Sequence, residues 1–240
     1  MSTILLPERP PAAGRRETVA VGGSRVAAFL SFLGSLSAAI AIVLIWAARS
    51  TVDRAVYVSE MGAPGQPTEA AFRVALTMVA LAGVLIGVFG PRARSDRRLP
   101  GLSGVLGGGG VCFAVAAFVP CTSGCPAPGS PAFTLQDLVH ISAAIVGFVL
   151  ACVAMVLVTA FDVSRFGLFS LAAGGTIAVV AGSGGLLSLT RTATTFGALC
   201  EFAATTLGLL WLLTLGLRLG ASVLLSGADG SSRRRQTGRR

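Results

Sequence analysis

The chain has 240 residues, 53% of them hydrophobic and only 12% charged, with a mean hydropathy of +0.80. That balance is far too apolar for a water-soluble domain of this size and reads as a membrane protein. The net charge of +9 is carried by arginines clustered beside apolar runs, which points to lipid head groups as partners and away from nucleic acid.

Residues 1–24 are polar and hold Pro7, Pro10, Pro11, Arg9, Arg15 and Arg16, so they are expected to form a disordered cytoplasmic tail. Residues 26–48 carry no charge and are long enough to cross a ~30 Å hydrocarbon layer at ~1.5 Å per residue. The run exceeds a signal-peptide core, and an uncleaved first span is expected. Residues 50–69 read as a polar loop with Asp53, Tyr57, Glu60 and the breaker-rich stretch Met61-Gly62-Ala63-Pro64-Gly65-Gln66-Pro67. A second span, 71–90, is expected to stop at Pro91, and the connection 91–100 holds Arg92, Arg94, Arg97 and Arg98.

The third span, 102–119, is glycine-rich, and Gly104 with Gly108 forms a small-xxx-small pair suited to close helix contact. A cysteine-bracketed loop leads into the fourth span, 138–161. After a short turn at 162–167, the fifth span, 168–189, sets Gly174, Ala178 and Gly182 on one stripe, read as a packing face. The sixth, 197–217, has Glu201 near its start and Trp211 within it. The domain therefore covers residues 25–220, followed by a basic cytoplasmic tail, 221–240, ending in Arg233, Arg234, Arg235, Arg239 and Arg240.

The fold class predicted is an all-α, polytopic bundle of six transmembrane helices with both termini cytoplasmic. Under that orientation fifteen arginines lie inside and only Arg49, Arg54, Arg73 and Arg191 outside, as the positive-inside rule requires. The Ala, Gly, Val and Arg bias without any lysine points to a bacterial source and hence to the bacterial cytoplasmic membrane. Anionic head groups at the arginine-rich face are the expected lipid contact. Acidic residues lean the other way: Asp53, Glu60, Glu69, Asp137 and Glu201 all fall on or near the outer face, as does His140, the only histidine.

Cys121 and Cys125 lie in an outer loop, where thiols tend to be oxidised, so a disulfide is expected, with Gly124 easing the turn. A metal or redox pair is the alternative, but it wants a different spacing or more ligands. Cys112 and Cys152 read as apolar fillers, and Cys200 as an unpaired thiol near the outer end of the last span. Asp137 and His140 are three residues apart and share one helix face. One reading makes Asp137 a helix-start acid and His140 an interfacial side chain. The other joins them with Glu201 and Glu60 around an outward-facing cavity, as a proton relay, a metal site or a head-group site. A carboxylate at Glu201, about a turn below the boundary, should face protein, water or an arginine such as Arg191 or Arg73; a protonated Glu201 is the plainer alternative.

Three motifs in order, Tyr57-Val58-Ser59-Glu60-Met61-Gly62-Ala63-Pro64-Gly65, Pro120-Cys121-Thr122-Ser123-Gly124-Cys125-Pro126 and Asp137-Leu138-Val139-His140, carry a likeness. The chain resembles the prokaryotic six-span membrane family known as domain of unknown function 998. Similar members tend to carry an Arg beside the residue opening the last span, where this chain reads Cys200-Glu201-Phe202. The resemblance implies the fold and no activity.

Two function classes follow. A non-enzymatic membrane protein, with a sensor, accessory or structural role and a disulfide-clamped outer loop, fits the lack of a paired catalytic constellation. A membrane-embedded enzyme or transporter would use His140, Asp137 and Glu201. No cofactor or metal is expected, because one histidine and scattered carboxylates make a poor zinc site, and Gly107 to Gly110 lacks the Lys-Ser/Thr of a phosphate cradle.

Overall fold

The computed structural model describes residues 13–93, 100–190 and 193–237, with side chains described within 24–92, 101–190 and 193–221. The tail arginines, most of the arginine connection 91–100 and Arg191 fall outside the described side chains. Six helices follow one another: α1 (Ala13–Ser50), α2 (Glu69–Ala93), α3 (Pro100–Phe118), α4 (Leu135–Phe161), α5 (Arg165–Leu189) and α6 (Thr194–Thr237). One 3-10 turn, Ser59–Gly62, interrupts the α1–α2 loop, and there is no strand among the described residues.

All six helices are long and apolar enough to cross a membrane, the shortest candidate span being Gly101–Phe118 and the longest Thr194–Ala221. Their outward faces carry bare apolar side chains such as Phe29, Val43, Val149, Val179 and Leu186, a surface that hydrocarbon and not water would cover. With an even number of spans, both chain ends leave at one end of the bundle. That terminal end also carries the α2–α3 and α4–α5 connections; the opposite, loop end carries the other three.

Several boundaries move outward from the sequence reading because caps and propagation, not the first apolar residue, decide them. Helix α4 begins at Leu135, capped by Thr134, and α5 begins at Arg165, where the Ser164 side chain accepts from the Phe166 amide. Pro91 does not end α2 but sits inside its last turn, and the helix runs to Ala93. At both termini helical backbone runs on into the segments read as tails, from Ala13 and to Thr237. Once a long span has nucleated a helix, each further residue adds a hydrogen bond at little cost.

The helices pack in chain order, α6 closes against α1, and α2 also reaches α6. Close approach of α2 and α3 depends on Gly83 and Gly87: a Cβ at Gly83 would lie 3.0 Å from the Gly110 Cα, and one at Gly87 2.8 Å from the Gly107 amide nitrogen. The expected pair Gly104 and Gly108 does not make this contact, since a Cβ at Gly104 meets nothing and one at Gly108 meets only Leu150. The stripe expected on α5 is displaced too. Ala178 and Gly182 are exposed, and the buried face is Ser170, Ala173, Gly174, Ile177 and Gly184. Partner chemistry explains the shift: Trp211 on α6 donates through Nε1 to the Ser170 hydroxyl at 2.9 Å, and Gly184 makes room for Cys200. Hydroxyls also tie α1 to α6, with Ser31 donating to the Gly216 carbonyl and Ser35 to that of Leu213. In lipid, where no hydrophobic force separates helix from solvent, such hydrogen bonds and small-residue contacts hold the bundle.

Candidate functional site

The polar residues gather at the loop end. Helix α4 opens with a capping box: the Thr134 hydroxyl accepts from the Asp137 amide at 3.3 Å, and the Asp137 carboxylate accepts from the Thr134 amide at 2.9 Å. The same carboxylate reaches across to the cysteine loop. Its Oδ1 accepts from the Thr122 amide at 2.6 Å, and the hydroxyls of Thr122 and Thr134 donate to it as well. Asp137 is fully buried, and its hydrogen bonds leave no side open to a substrate. Thr122 lies within the Cys121–Cys125 bridge, whose Cα atoms are 5.1 Å apart. Gly124 adopts φ +83° there, the left-handed turn geometry that glycine takes without strain.

His140, one turn further along α4, serves α3. Pro120 has no amide hydrogen to offer the carbonyl of Ala116, four residues earlier, so that carbonyl needs another donor. His140 supplies it, its Nδ1 lying 3.0 Å from the Ala116 oxygen and 2.8 Å from that of Val119. Both partners are carbonyl acceptors, so Nδ1 carries a proton, and in the tautomer this selects Nε2 is the acceptor nitrogen. Nε2 has no partner among the described residues.

Glu201, on α6, anchors the 3-10 turn. Its two oxygens accept from the amides of Val58 at 2.9 Å and Ser59 at 3.2 Å. Of the two arginines named beforehand, Arg73 pairs instead with Glu69 within α2, and Arg191 lies outside the described residues. Glu60 faces Arg54 at 2.6 Å. The Ser188 hydroxyl on α5 and the Tyr57 hydroxyl are hydrogen-bonded at 2.8 Å, so the 3-10 turn is roped to both α5 and α6. Val56, Val58, Met61 and Ala63 are buried beneath it.

Below this cap lies a cavity of about 100 Å³. Its wall is drawn mainly from α2, α3, α4 and α6, with Ile45 of α1, Val58 and Ser59 at the cap, and Trp211 and Ile177 of α5 deeper in. His140 and Glu201 both line it; Asp137 and Glu60 do not. The four candidates of the sequence reading are thus split: two share the cavity, one is locked in the clamp and one sits in an ion pair at the rim. No cluster of three or more His, Cys, Asp or Glu able to hold a metal occurs among the described residues. Cys200 is buried and free against Gly184, and Cys112 and Cys152 are half-buried.

The sequence reading missed Thr122, Thr134, Ser59 and Thr205. Thr134-x-x-Asp137 has capping-box spacing and was legible. Ser59 and Thr205, which line the cavity with Glu201, carry no such local signal, because they come together only when α6 meets the α1–α2 loop.

Six apolar helices with a hydrogen-bonded cap at one end define the class, a polytopic all-helical membrane protein. Residues 20–218 match the family described as "Protein of unknown function (DUF998)", and the chain belongs to that family. No curated protein and no solved structure is significantly similar to it.

Proposed function

We propose that the chain is a non-enzymatic component of the bacterial cytoplasmic membrane, a sensor or accessory protein with its disulfide-clamped cap outside and both tails in the cytoplasm. One observation carries this reading: the three candidate carboxylates Asp137, Glu201 and Glu60 are engaged in holding the scaffold. Asp137 joins α4 to the cysteine loop, Glu201 holds the 3-10 turn, and Glu60 is paired with Arg54. A general acid or base needs a position within hydrogen-bond reach of its substrate, and Asp137 has none free. The fifteen-to-four arginine asymmetry supports the orientation.

Orientation is tested by an impermeant maleimide on intact, reduced cells. Cys121 and Cys125 should label, and a cysteine engineered between residues 91 and 100 should not; the reverse pattern overturns the topology. The role is tested by complementing a strain that lacks the gene. Asp137→Asn and Glu60→Gln should keep function in proportion to the folded protein that remains. A second reading, a membrane-embedded enzyme or transporter, is favoured by one observation, that His140 and Glu201 line the same cavity. It replaces the first if Glu201→Gln melts like the parent yet abolishes function.

A further inference from the structure

We propose that the cavity is a binding site for a single-chain amphiphile with an uncharged hydroxyl head, entered from the bilayer and held with its head against His140, Ser59, Thr205 and Glu201. The inference stands on the cavity itself and holds whether or not the protein is a catalyst.

Size and lining come first. The space is several times the ~10–15 Å³ that a single water requires. Its wall is apolar, with Leu76, Val79, Leu106, Phe113, Phe148 and Leu209 among its residues, so water would find few partners there. The deeper polar atom of the wall, Trp211 Nε1, is already bonded to Ser170. From Glu201 down to Trp211 is ten residues of α6, ~15 Å at ~1.5 Å per residue. That is half of a ~30 Å hydrocarbon core, the depth of one lipid chain in one leaflet.

Access comes next. The loop end is roofed by residues 56–63, held down by Glu201 and by the Tyr57–Ser188 bond. The cavity is nonetheless partly open. With the roof held down in this way, the route left for a guest is between helices, where the surroundings in a membrane are hydrocarbon. Helix α5 meets α4 near Thr159–Gly167 and Cys152–Gly174, then leans on α6 near Gly184–Cys200. The α4–α5 seam toward the cap is therefore the entry route.

The head group is set by charge. Among the described residues no arginine or lysine lines the cavity, so a phosphate or carboxylate head would meet the Glu201 carboxyl without a counter-ion from that wall. His140 Nε2 can accept one hydrogen bond, and the hydroxyls of Ser59 and Thr205 can donate or accept. A hydroxyl head, one donor and two lone pairs, satisfies this set without burying a charge.

The test uses the full-length protein in phosphatidylcholine nanodiscs with Trp46→Phe, which leaves Trp211 as the reporter, since the chain has two tryptophans. Quenching of Trp211 is followed against the mole fraction of a chain-brominated primary alcohol and of the brominated fatty acid of equal length. Saturable quenching is expected with the alcohol, at a half-saturating fraction about tenfold below that of the acid, the discrimination that one well-placed hydrogen bond gives. Gly208→Leu should abolish the saturable component; a Cβ there meets only Ile177 at 3.7 Å, so added bulk goes into the cavity. Ala144→Leu is the second filling variant, should Gly208→Leu not fold. Linear quenching equal for both probes means partition into lipid alone and overturns the site. Saturable quenching that favours the acid overturns the head-group assignment, and saturable quenching that survives both filling variants overturns the location.

Discussion

Two carboxylates at the loop end do the same job in different surroundings. Asp137 and Glu201 each gather backbone amides of a loop onto the start of a helix, Asp137 those of Thr122 and Thr134, Glu201 those of Val58 and Ser59. Asp137 is closed off on every side, fortified by two threonine hydroxyls and a neighbouring disulfide. Glu201 has a cavity at its back. The difference separates scaffold from site: a carboxylate whose lone pairs are all used by the protein can only hold, whereas one that borders open space can also meet a guest.

The comparison breaks most visibly at Asp137. Asp137→Ala removes the capping box and leaves two loop amides without their acceptor, for an expected loss of about 3 kcal/mol, read as a lowered Tm in detergent. If the melt is unchanged, the clamp is not what holds the cysteine loop. Next is the bridge: Cys121→Ser with Cys125→Ser should cost roughly 2 kcal/mol by the loop-closure estimate. Combined with Thr122→Ala the loss should be less than additive, because loop and clamp hold the same segment.

Glu201→Gln keeps shape and one acceptor oxygen, so a smaller loss of about 1 kcal/mol is expected, with Tyr57 and the 3-10 turn gaining hydrogen exchange while α4 does not. Equal loosening of α4 would mean that the two clamps form one unit. The smallest effect on the cap belongs to the far end of the molecule. Removing residues 222–240 should leave Tm unchanged but weaken the salt-dependent attraction of the terminal end to anionic over neutral nanodiscs. A salt dependence that survives the truncation assigns the attraction to other arginines.

Much of the site was visible as composition and little of it as geometry. Asp137 and His140 stood out because they are ionisable residues opening an apolar run, and Glu201 for the same reason. What each does depended on residues elsewhere in the chain. Pro120 creates the orphan carbonyl that His140 serves, twenty residues upstream of it, and the amides that hold Glu201 come from the α1–α2 loop. The misread glycine contacts have the same origin. Gly83-x-x-x-Gly87 on α2 had the spacing credited to Gly104 and Gly108, and only the rotation of the packed helices chose between them.

By itself the sequence determined six spans, the bracketing cysteines and the residues at which polar chemistry could occur, because hydrocarbon admits long uncharged helices and little else. Tertiary structure alone decided that Asp137 is a sealed clamp, that His140 caps a neighbouring helix, and that His140 and Glu201 share a cavity. Periodicity and composition act along one segment, whereas a hydrogen-bond partner or an empty space exists only after distant segments have been brought together.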